Sequence, residues 1–201
     1  MKLNHELPLL VTTENDKNKI LTTPTVDVAR EELDMVKNAI PSFLEVMRTH
    51  RGIGLAAPQV GVPLRFAVIH TEDTPFILIN PVIVTRSKVE TISTEGCLSI
   101  PAKQVTVMRN LEVSVQALDI HWNKVTYDVS GLTSICFQHE IDHLDGVLMT
   151  SRRSLEEELS TRLREMDEHA EYAQESDDVM ARLRKKLSDR KNGQFRKWPK
   201  E

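Results

Sequence analysis

The chain has 201 residues, 40% of them hydrophobic, which suits one compact domain with a sizeable core and an appended segment. Its formal net charge is -4 and its pI is near 6.0, so the chain as a whole has no attraction to nucleic acid or to an anionic membrane. No apolar stretch approaches the roughly 18 residues of a transmembrane helix, and we find no signal-peptide cleavage pattern. These features predict a cytoplasmic protein in which Cys97 and Cys136 stay reduced.

The first predicted element is an amphipathic helix that begins after Asp27, a residue suited to cap a helix N-terminus. Its apolar stripe consists of Leu33, Val36, Ile40, Phe43, Leu44 and Met47. Pro41 lies inside this stretch. Because proline has no amide donor and crowds the preceding turn, we expect a kink or a break in the helix there.

Residues 65–130 have the composition of β-strands. The pattern is carried by RFAVIH (65–70), FILINPVIV (76–84), LEVSVQALDI (111–120) and VTYDVS (125–130). The last two stretches are joined by a predicted hairpin connection, in which Asn123 is the residue best able to adopt a positive φ. The next stretch, residues 131–144, returns to helical spacing. This order predicts a helix that packs against a sheet.

The segment QHEIDH within that helix has the spacing of a metal site. Residues four apart on a helix lie on one face at adjacent turns, so His139 and His143 can share a cation. Glu140 follows the first histidine and is placed to take a proton from an attacking water. Two ligands hold a divalent cation weakly, so the pattern requires a third.

The third ligand can be sought in three places. In the longer metzincin pattern the third histidine would fall at the position of Met149, which cannot serve as that ligand. A later glutamate, as in gluzincins, could be Glu165 or Glu168, but both lie in a strongly polar segment. Cys97 is the better candidate, because a thiolate binds zinc or ferrous iron strongly and Gly96 allows close backbone approach. Three protein ligands leave a fourth position open, as in catalytic sites.

Three segments together resemble the signature motifs of the peptide deformylase family, in the family's order. They are GIGLAAPQVG (Gly52–Gly61), EGCLSIP (Glu95–Pro101) and QHEIDHLDG (Gln138–Gly146). The resemblance covers roughly residues 20–150 and is to the form of the family common in Gram-negative bacteria. It implies an α+β fold in which antiparallel strands surround a central metal-binding helix, with an N-terminal helix and a C-terminal helical extension. The implied activity is hydrolytic removal of the N-formyl group from the N-terminal methionine of newly made proteins, which releases formate.

The resemblance also implies roles for individual residues. The implied metal ligands are Cys97, His139 and His143. They would hold one divalent ion; Fe²⁺ is the usual metal of the family, and Zn²⁺ or Ni²⁺ can also occupy such a site. Glu140 would move the proton, and the Gln59 side chain and the Leu98 backbone amide would donate hydrogen bonds to the developing oxyanion.

Matching positions imply two groups of substrate-binding residues. Those that would border the peptide main chain, bound as an added strand, are Ile53, Gly54, Gly96 and Leu98. Those that would line an apolar pocket for the methionine side chain are Leu132, Ile135 and Cys136. The implied substrates are N-formylmethionyl peptides or nascent chains.

Composition divides the chain into a predicted catalytic domain, residues 1–150, and a predicted helical extension with a basic tail, residues 151–201. An apolar stripe with helical spacing opens the extension and consists of Leu155, Leu159, Leu163 and Met166. Two interpretations of the extension remain open. It is either a solvated helix and tail, or a docking element whose basic end contacts ribosomal RNA.

Two other functional classes also remain open at this point. A non-catalytic metal-binding module would need the three ligands but neither Glu140 nor Gln59, and both are present. A general metallopeptidase of the His-Glu-x-x-His type would need room for a whole residue on the acyl side of the cleaved bond. Structural roles are open as well: Glu95 and Arg109 are candidates for an ion pair behind the metal loop, and Asp142 either orients a ligand or anchors the helix.

Overall fold

We describe residues 10–152 and 157–165 of a computed structural model. Contacts divide the chain into two units, Met1–Leu155 and Glu156–Glu201. In the second unit, residues 157–165 are helical, and Leu159 and Leu163 of the predicted stripe are exposed there. Leu155, Met166 and the predicted basic tail lie outside the described residues. No helix in the described ranges is long and apolar enough to span a bilayer.

The first unit combines helices with two antiparallel sheets. Its strands are β1 (Gly54–Ala56), β2 (Phe66–Ile69), β3 (Phe76–Arg86), β4 (Glu90–Cys97), β5 (Ile100–Asn110), β6 (Glu112–Leu118) and β7 (Lys124–Ser130). Five of them form one sheet in the order β1-β2-β3-β6-β7, and β4 pairs with β5 in a separate hairpin. The α+β class predicted from the sequence is therefore confirmed.

Helix α1 spans Leu33–His50, and a 3-10 turn at Arg30–Glu32 precedes it. The prediction that Asp27 caps this helix is wrong, because helical turns begin only after Ala29, which is the capping residue of the 3-10 turn. The predicted apolar face is confirmed at Val36, Phe43 and Met47, all buried, and Val46 joins them.

Pro41 does not break helix α1, which continues through it for 18 residues in total. Of the two expected outcomes, the break is therefore wrong, and the kink stays a prediction. Pro41 lies on the exposed side of the helix, where solvent can hydrogen-bond the carbonyl that proline leaves without a donor. The buried side of the helix keeps its packing against the sheet.

Helix α2 spans Gly131–Leu144, the stretch that the helical spacing predicts. It packs against β1, β2 and β7 of the five-stranded sheet and also against β5 of the hairpin. On its core side, Phe137 and Ile141 are buried with Ile69, Leu78 and Val115 of the sheet. Strands of both sheets therefore enclose the helix that carries the two histidines, as the sequence predicts.

The connection between β6 and β7 corrects one backbone prediction. Trp122, and not Asn123, adopts the positive φ, at 68°. The Asp119 carboxylate accepts hydrogen bonds from the backbone amides of His121 and Asn123, both at 2.8 Å. Because these bonds fix the loop around Asp119, the left-handed residue falls one position before Asn123.

The β-strand pattern of the sequence did not predict the hairpin of β4 and β5. Its register jumps from a Gly96–Gln104 pair to a Cys97–Ile100 pair, so residues 101–103 form a bulge beside the metal loop. Ala102 in this bulge has a φ of 58°. The hairpin places Cys97 at the end of β4, next to helix α2.

Candidate metal centre and active site

The structure brings the three predicted metal ligands together. Possible donor atoms of Cys97, His139 and His143 all lie within 4.8 Å of one another. The Sγ of Cys97 is 3.1 Å from the Nε2 of His143, although 46 positions separate the two residues in the chain. The strand β4 thus supplies the sulfur and one face of α2 supplies both imidazoles.

This donor set fits a divalent transition metal. Zinc or iron bonded to sulfur and nitrogen at about 2.0–2.3 Å separates its ligand atoms by roughly 3.3–3.8 Å, which is compatible with donor atoms that all lie within 4.8 Å of one another. A thiolate with two imidazoles favours such metals over calcium or magnesium, which take oxygen ligands. Met149, the position of a metzincin's third histidine, is buried in a core cluster with Leu21 and Ile100, and Glu168 lies outside the described residues.

Glu95 orients one of the two histidines. Its Oε2 lies 2.9 Å from the Nδ1 of His139. Burial alone would raise the pKa of Glu95, but hydrogen bonds from Arg109 and His139 outweigh it and lower the pKa to about 2. The carboxylate is therefore an acceptor only, so Nδ1 of His139 donates the hydrogen and Nε2 is the ring nitrogen left to bind a metal.

Arg109 links the metal loop to helix α2. Its guanidinium donates to both oxygens of Glu95, at 2.7 and 2.8 Å, and its Nη1 donates to Asp142 Oδ2 at 2.7 Å. Arg152 also pairs with Asp142. The Arg109 side chain is only 1% exposed, so these ion pairs replace its hydration. The pair of Glu95 and Arg109 considered from the sequence is found, and Asp142 anchors the helix.

Glu140 is a buried carboxylate beside the ligands. The residue is 3% exposed, and its Oε2 has no hydrogen-bond partner among the described residues. Burial is the main cause that raises the pKa of Glu140 to about 7. A Cβ on Gly54 would overlap Oε1 of Glu140, so the glycine leaves the space that this carboxylate occupies. A carboxyl group with these properties can accept and return a proton near neutral pH.

Gln59 points its amide nitrogen at the metal loop. Its Oε1 accepts a hydrogen bond from the backbone amide of Ala56 at 2.7 Å. This bond orients the side chain so that Nε2 lies on the side away from Ala56. Nε2 lies 3.6 Å from the Sγ of Cys97. Leu98 follows that cysteine directly, at the turn between β4 and β5. Both residues predicted to stabilise the oxyanion thus lie next to the ligand set.

A cleft of about 800 Å³ opens beside the ligands. Every predicted substrate-binding residue lines it, namely Ile53, Gly54, Gly96, Leu98, Leu132, Ile135 and Cys136. Two of these apolar residues are unusually exposed to solvent: Ile53 is 42% exposed and Leu132 is 60% exposed. Apolar surface of this kind at a cleft is suited to cover a ligand.

Cys136 lies in the wall of this cleft and is buried. Burial raises the pKa of its thiol well above the ordinary value, so the thiol stays protonated. Its Sγ lies 3.7 Å from the backbone carbonyl of Ile53, which it can reach as a weak donor. Cys136 therefore belongs to the wall of the cleft, and Cys97 is the cysteine of the candidate metal site.

Some residues of the site were not found from the sequence. The cleft is also lined by His50, Arg51 and Lys103, and Asp142 is held by Arg152. His50 ends helix α1 and Arg51 follows it, and this C-terminus could have been recognised from the nearby Gly52. The position of Lys103 depends on the bulge in β5, for which the sequence has no local signal.

Comparisons with known proteins identify the family of this chain. The family profile described as polypeptide deformylase matches residues 10–158. A peptide deformylase of Dictyoglomus thermophilum is 42% identical over 132 residues, which cover 65% of this chain and 85% of that protein. A second, from Dictyoglomus turgidum, is 39% identical over 123 residues, which cover 61% of this chain and 80% of the relative.

Solved structures agree as well. The peptide deformylase of Thermotoga maritima superposes with a TM-score of 0.70 at 31% identity, covering 75% of this chain and 99% of that one. A class I type b peptide deformylase from Acinetobacter baumannii, bound to Met-Ala-Ser, has a TM-score of 0.68 at 26% identity and covers 74% of this chain and 99% of its own.

The fold and the site together define a metal-dependent amide hydrolase, with a candidate Cys-His-His metal site and a buried carboxylate beside it. The chain belongs to the peptide deformylase family. Its activity is the removal of the N-formyl group from the N-terminal methionine of newly made proteins.

Proposed function

We propose that this chain carries out deformylation with Cys97, His139 and His143 as ligands of one divalent cation and Glu140 as the proton carrier. The observation that carries the proposal is the position of Glu140, a buried carboxylate with an unpaired oxygen, in a cleft that also contains Cys97 and His139. A non-catalytic metal-binding module would not need this carboxylate, because its burial with an unpaired oxygen lowers the stability of the fold.

The metal of this proposal is Fe²⁺, and Zn²⁺ or Ni²⁺ would be held by the same residues. The thiolate and the two imidazoles suit all three ions. When bound, such a cation supplies Lewis acidity to the formyl oxygen and lowers the pKa of water beside it. Glu95 supports metal binding by His139, because its contact with Nδ1 orients the imidazole and leaves Nε2 for the metal.

Glu140 accepts the proton of the attacking water and delivers it to the amine that leaves. A pKa near 7 suits both halves of this task, because the group is then close to half-protonated at neutral pH. The negative charge that develops on the formyl oxygen receives hydrogen bonds from Gln59 Nε2 and the Leu98 backbone amide. The orientation of Gln59 is already set by its bond to Ala56.

The substrate is an N-formylmethionyl peptide or nascent chain. Its main chain lies along Ile53, Gly54, Gly96 and Leu98, as an added strand. Its methionine side chain covers Leu132, Ile135 and Cys136. The structure of the Acinetobacter baumannii relative with bound Met-Ala-Ser supports this choice, since those are the residues that remain after a formyl group has left.

Residues 1–150 form the catalytic domain in this proposal, and residues 151–201 a helical extension whose basic tail contacts the ribosome in the cytoplasm. The support is the charge segregation of the extension, acidic first and basic at its end. Removal of residues 176–201 is expected to weaken binding to ribosomes, as measured by co-sedimentation at several salt concentrations. Equal binding of the two chains at every concentration would remove the ribosome contact.

The test of the proposed function is the product of the reaction. Metal-loaded wild type is incubated with formyl-Met-Ala-Ser, and formate and free peptide are quantified. We expect one formate per Met-Ala-Ser and an intact Met-Ala bond. Cleavage of that bond without formate would support the metallopeptidase alternative, and metal binding with neither product would support the binding module.

A further inference from the structure

The mouth of the cleft carries exposed charges of one sign. His50, Arg51 and Lys103 line it and are all exposed. The carboxylates that line the same cleft, Glu95 and Glu140, are 7% and 3% exposed and lie at its floor. Among the described residues that line the cleft, the formally charged side chains that are fully exposed are therefore Arg51 and Lys103, and both are cationic.

The buried carboxylates do not cancel this positive mouth. Both oxygens of Glu95 accept hydrogen bonds from Arg109, which is itself buried. Because the two charges are opposite and adjacent, the pair contributes little to the electrostatic field at the cleft mouth. Glu140 faces Gly54 and the ligand set. The field that a ligand meets on entry is set mainly by the exposed groups.

Two backbone irregularities place the cations. Arg51 is the residue after helix α1 and has a left-handed φ of 57°. Lys103 belongs to the bulge of β5, between the Gly96–Gln104 and Cys97–Ile100 pairs. The two residues thus reach the cleft from different elements, and neither is presented by a regular helix or strand.

Within the described part of the chain, neither Arg51 nor Lys103 has an ion-pair partner. In the described ranges, no carboxylate lies within ion-pair distance of Arg51 or Lys103, whereas the nearby Arg48 is paired with Glu45. A free cation at a cleft mouth can pair with an anionic ligand without breaking an existing bond.

From this arrangement we propose that the cleft mouth selects N-formylmethionyl peptides that carry an acidic side chain at the second or third residue, through Arg51 and Lys103. The inference rests on the proposed deformylase site and adds a preference among its substrates. The methionine side chain fills the apolar part of the cleft, so the side chains that follow it lie nearer to the solvent. One charge pair in this setting changes kcat/KM by about threefold to tenfold, and salt weakens the effect.

The experiment compares matched formylated peptide amides that differ only in one charge: formyl-Met-Ala-Ser, formyl-Met-Asp-Ser, formyl-Met-Ala-Asp and their lysine counterparts. Formate release gives kcat/KM for each at low and at high ionic strength. We expect at least one aspartate peptide to exceed its lysine counterpart by threefold or more at low salt, with the ratio shrinking at high salt. Calorimetric binding of the deformylated peptides to the same protein is expected to follow the same order.

Variants identify the residues responsible. Arg51→Glu and Lys103→Glu are each expected to reduce the aspartate-to-lysine ratio, and the double variant to reverse it. Lys124→Glu is the matched control, because Lys124 is exposed on β7 and does not line the cleft. It makes the same change in net charge and is expected to keep the wild-type ratio.

The outcomes separate this inference from the function on which it rests. Formate release with equal kcat/KM for all peptides, or a ratio that Lys124→Glu alters as much as Lys103→Glu, overturns the selectivity and leaves the deformylase intact. Absence of formate from every peptide overturns the function, and the selectivity with it.

Discussion

Glu95 hydrogen-bonds His139 across two elements: Oε2 of the carboxylate on β4 lies 2.9 Å from Nδ1 of the imidazole on α2. This contact sets the tautomer of His139 and leaves Nε2 to bind a metal. The same carboxylate is held by the buried Arg109. The imidazole that we propose as a metal ligand is therefore oriented by a carboxylate from a different element.

Glu95→Gln is expected to weaken metal binding by about 10- to 100-fold, because the amide holds the imidazole less firmly and can present the wrong group to Nδ1. The measurement is a competition titration against a chromophoric chelator. Glu112→Gln, on exposed β6 surface, is the control. Equal metal affinity of wild type and Glu95→Gln would contradict the orienting role.

Glu140→Gln is expected to reduce kcat for formate release by about 100- to 10,000-fold, since the amide keeps the shape but cannot carry the proton. Metal content, measured on the same samples, is expected to stay at one equivalent. A variant that retains its metal and works within a few-fold of wild type would show that the proton passes elsewhere.

Arg109→Met is expected to destabilise the fold by about 3–5 kcal/mol, because it leaves Glu95 and Asp142 as buried carboxylates that have lost a partner. Urea unfolding of metal-free protein measures the change without a contribution from metal binding. Arg86→Met, at the exposed end of β3, serves as the comparison and is expected to change stability by less than about 0.5 kcal/mol. Similar stabilities of the two variants would show that Arg109 is dispensable to the fold.

Gly146→Ala and Gly131→Ala form a matched pair, because both glycines have a positive φ, 72° and 57°. An added Cβ meets nothing within 4 Å at Gly131 but lies 2.9 Å from backbone atoms of residues 22–24 at Gly146. We expect Gly131→Ala to cost about 1–2 kcal/mol from the left-handed backbone alone. Gly146→Ala is expected to cost clearly more, and equal losses in thermal or urea unfolding would contradict the close packing after α2.

Local patterns predicted the elements that pack on a core. The strands β6 and β7 have regular alternation, because one face of each is more buried than the other. Helix α2 is buried on most of its surface, and its apolar residues recur with helical spacing. β4 and β5 lack this signal, since long parts of both are exposed. Pro41 shows a further limit: whether a proline ends a helix depends on which side of the helix meets solvent, and tertiary packing decides that.

The candidate ligand set could be predicted from the sequence, whereas most of the side-chain contacts around it could not. Cys97 and the histidines are marked by residue type and by motif, which do not depend on the fold. The contacts of Asp142 with Arg109 and Arg152 join positions 33 and 10 residues apart, and no spacing rule connects them. The bulge that brings Lys103 to the cleft is likewise a property of strand register.

Cobalt substitution tests the central claim, that a sulfur from β4 and two imidazoles from α2 meet at one cation, most directly. We expect wild type to bind one equivalent of Co²⁺ with a near-ultraviolet sulfur-to-cobalt absorption band, and Cys136→Ser to keep that band. Cys97→Ser is expected to lose it and to bind cobalt more weakly. A band that survives in Cys97→Ser and disappears in Cys136→Ser would contradict the account.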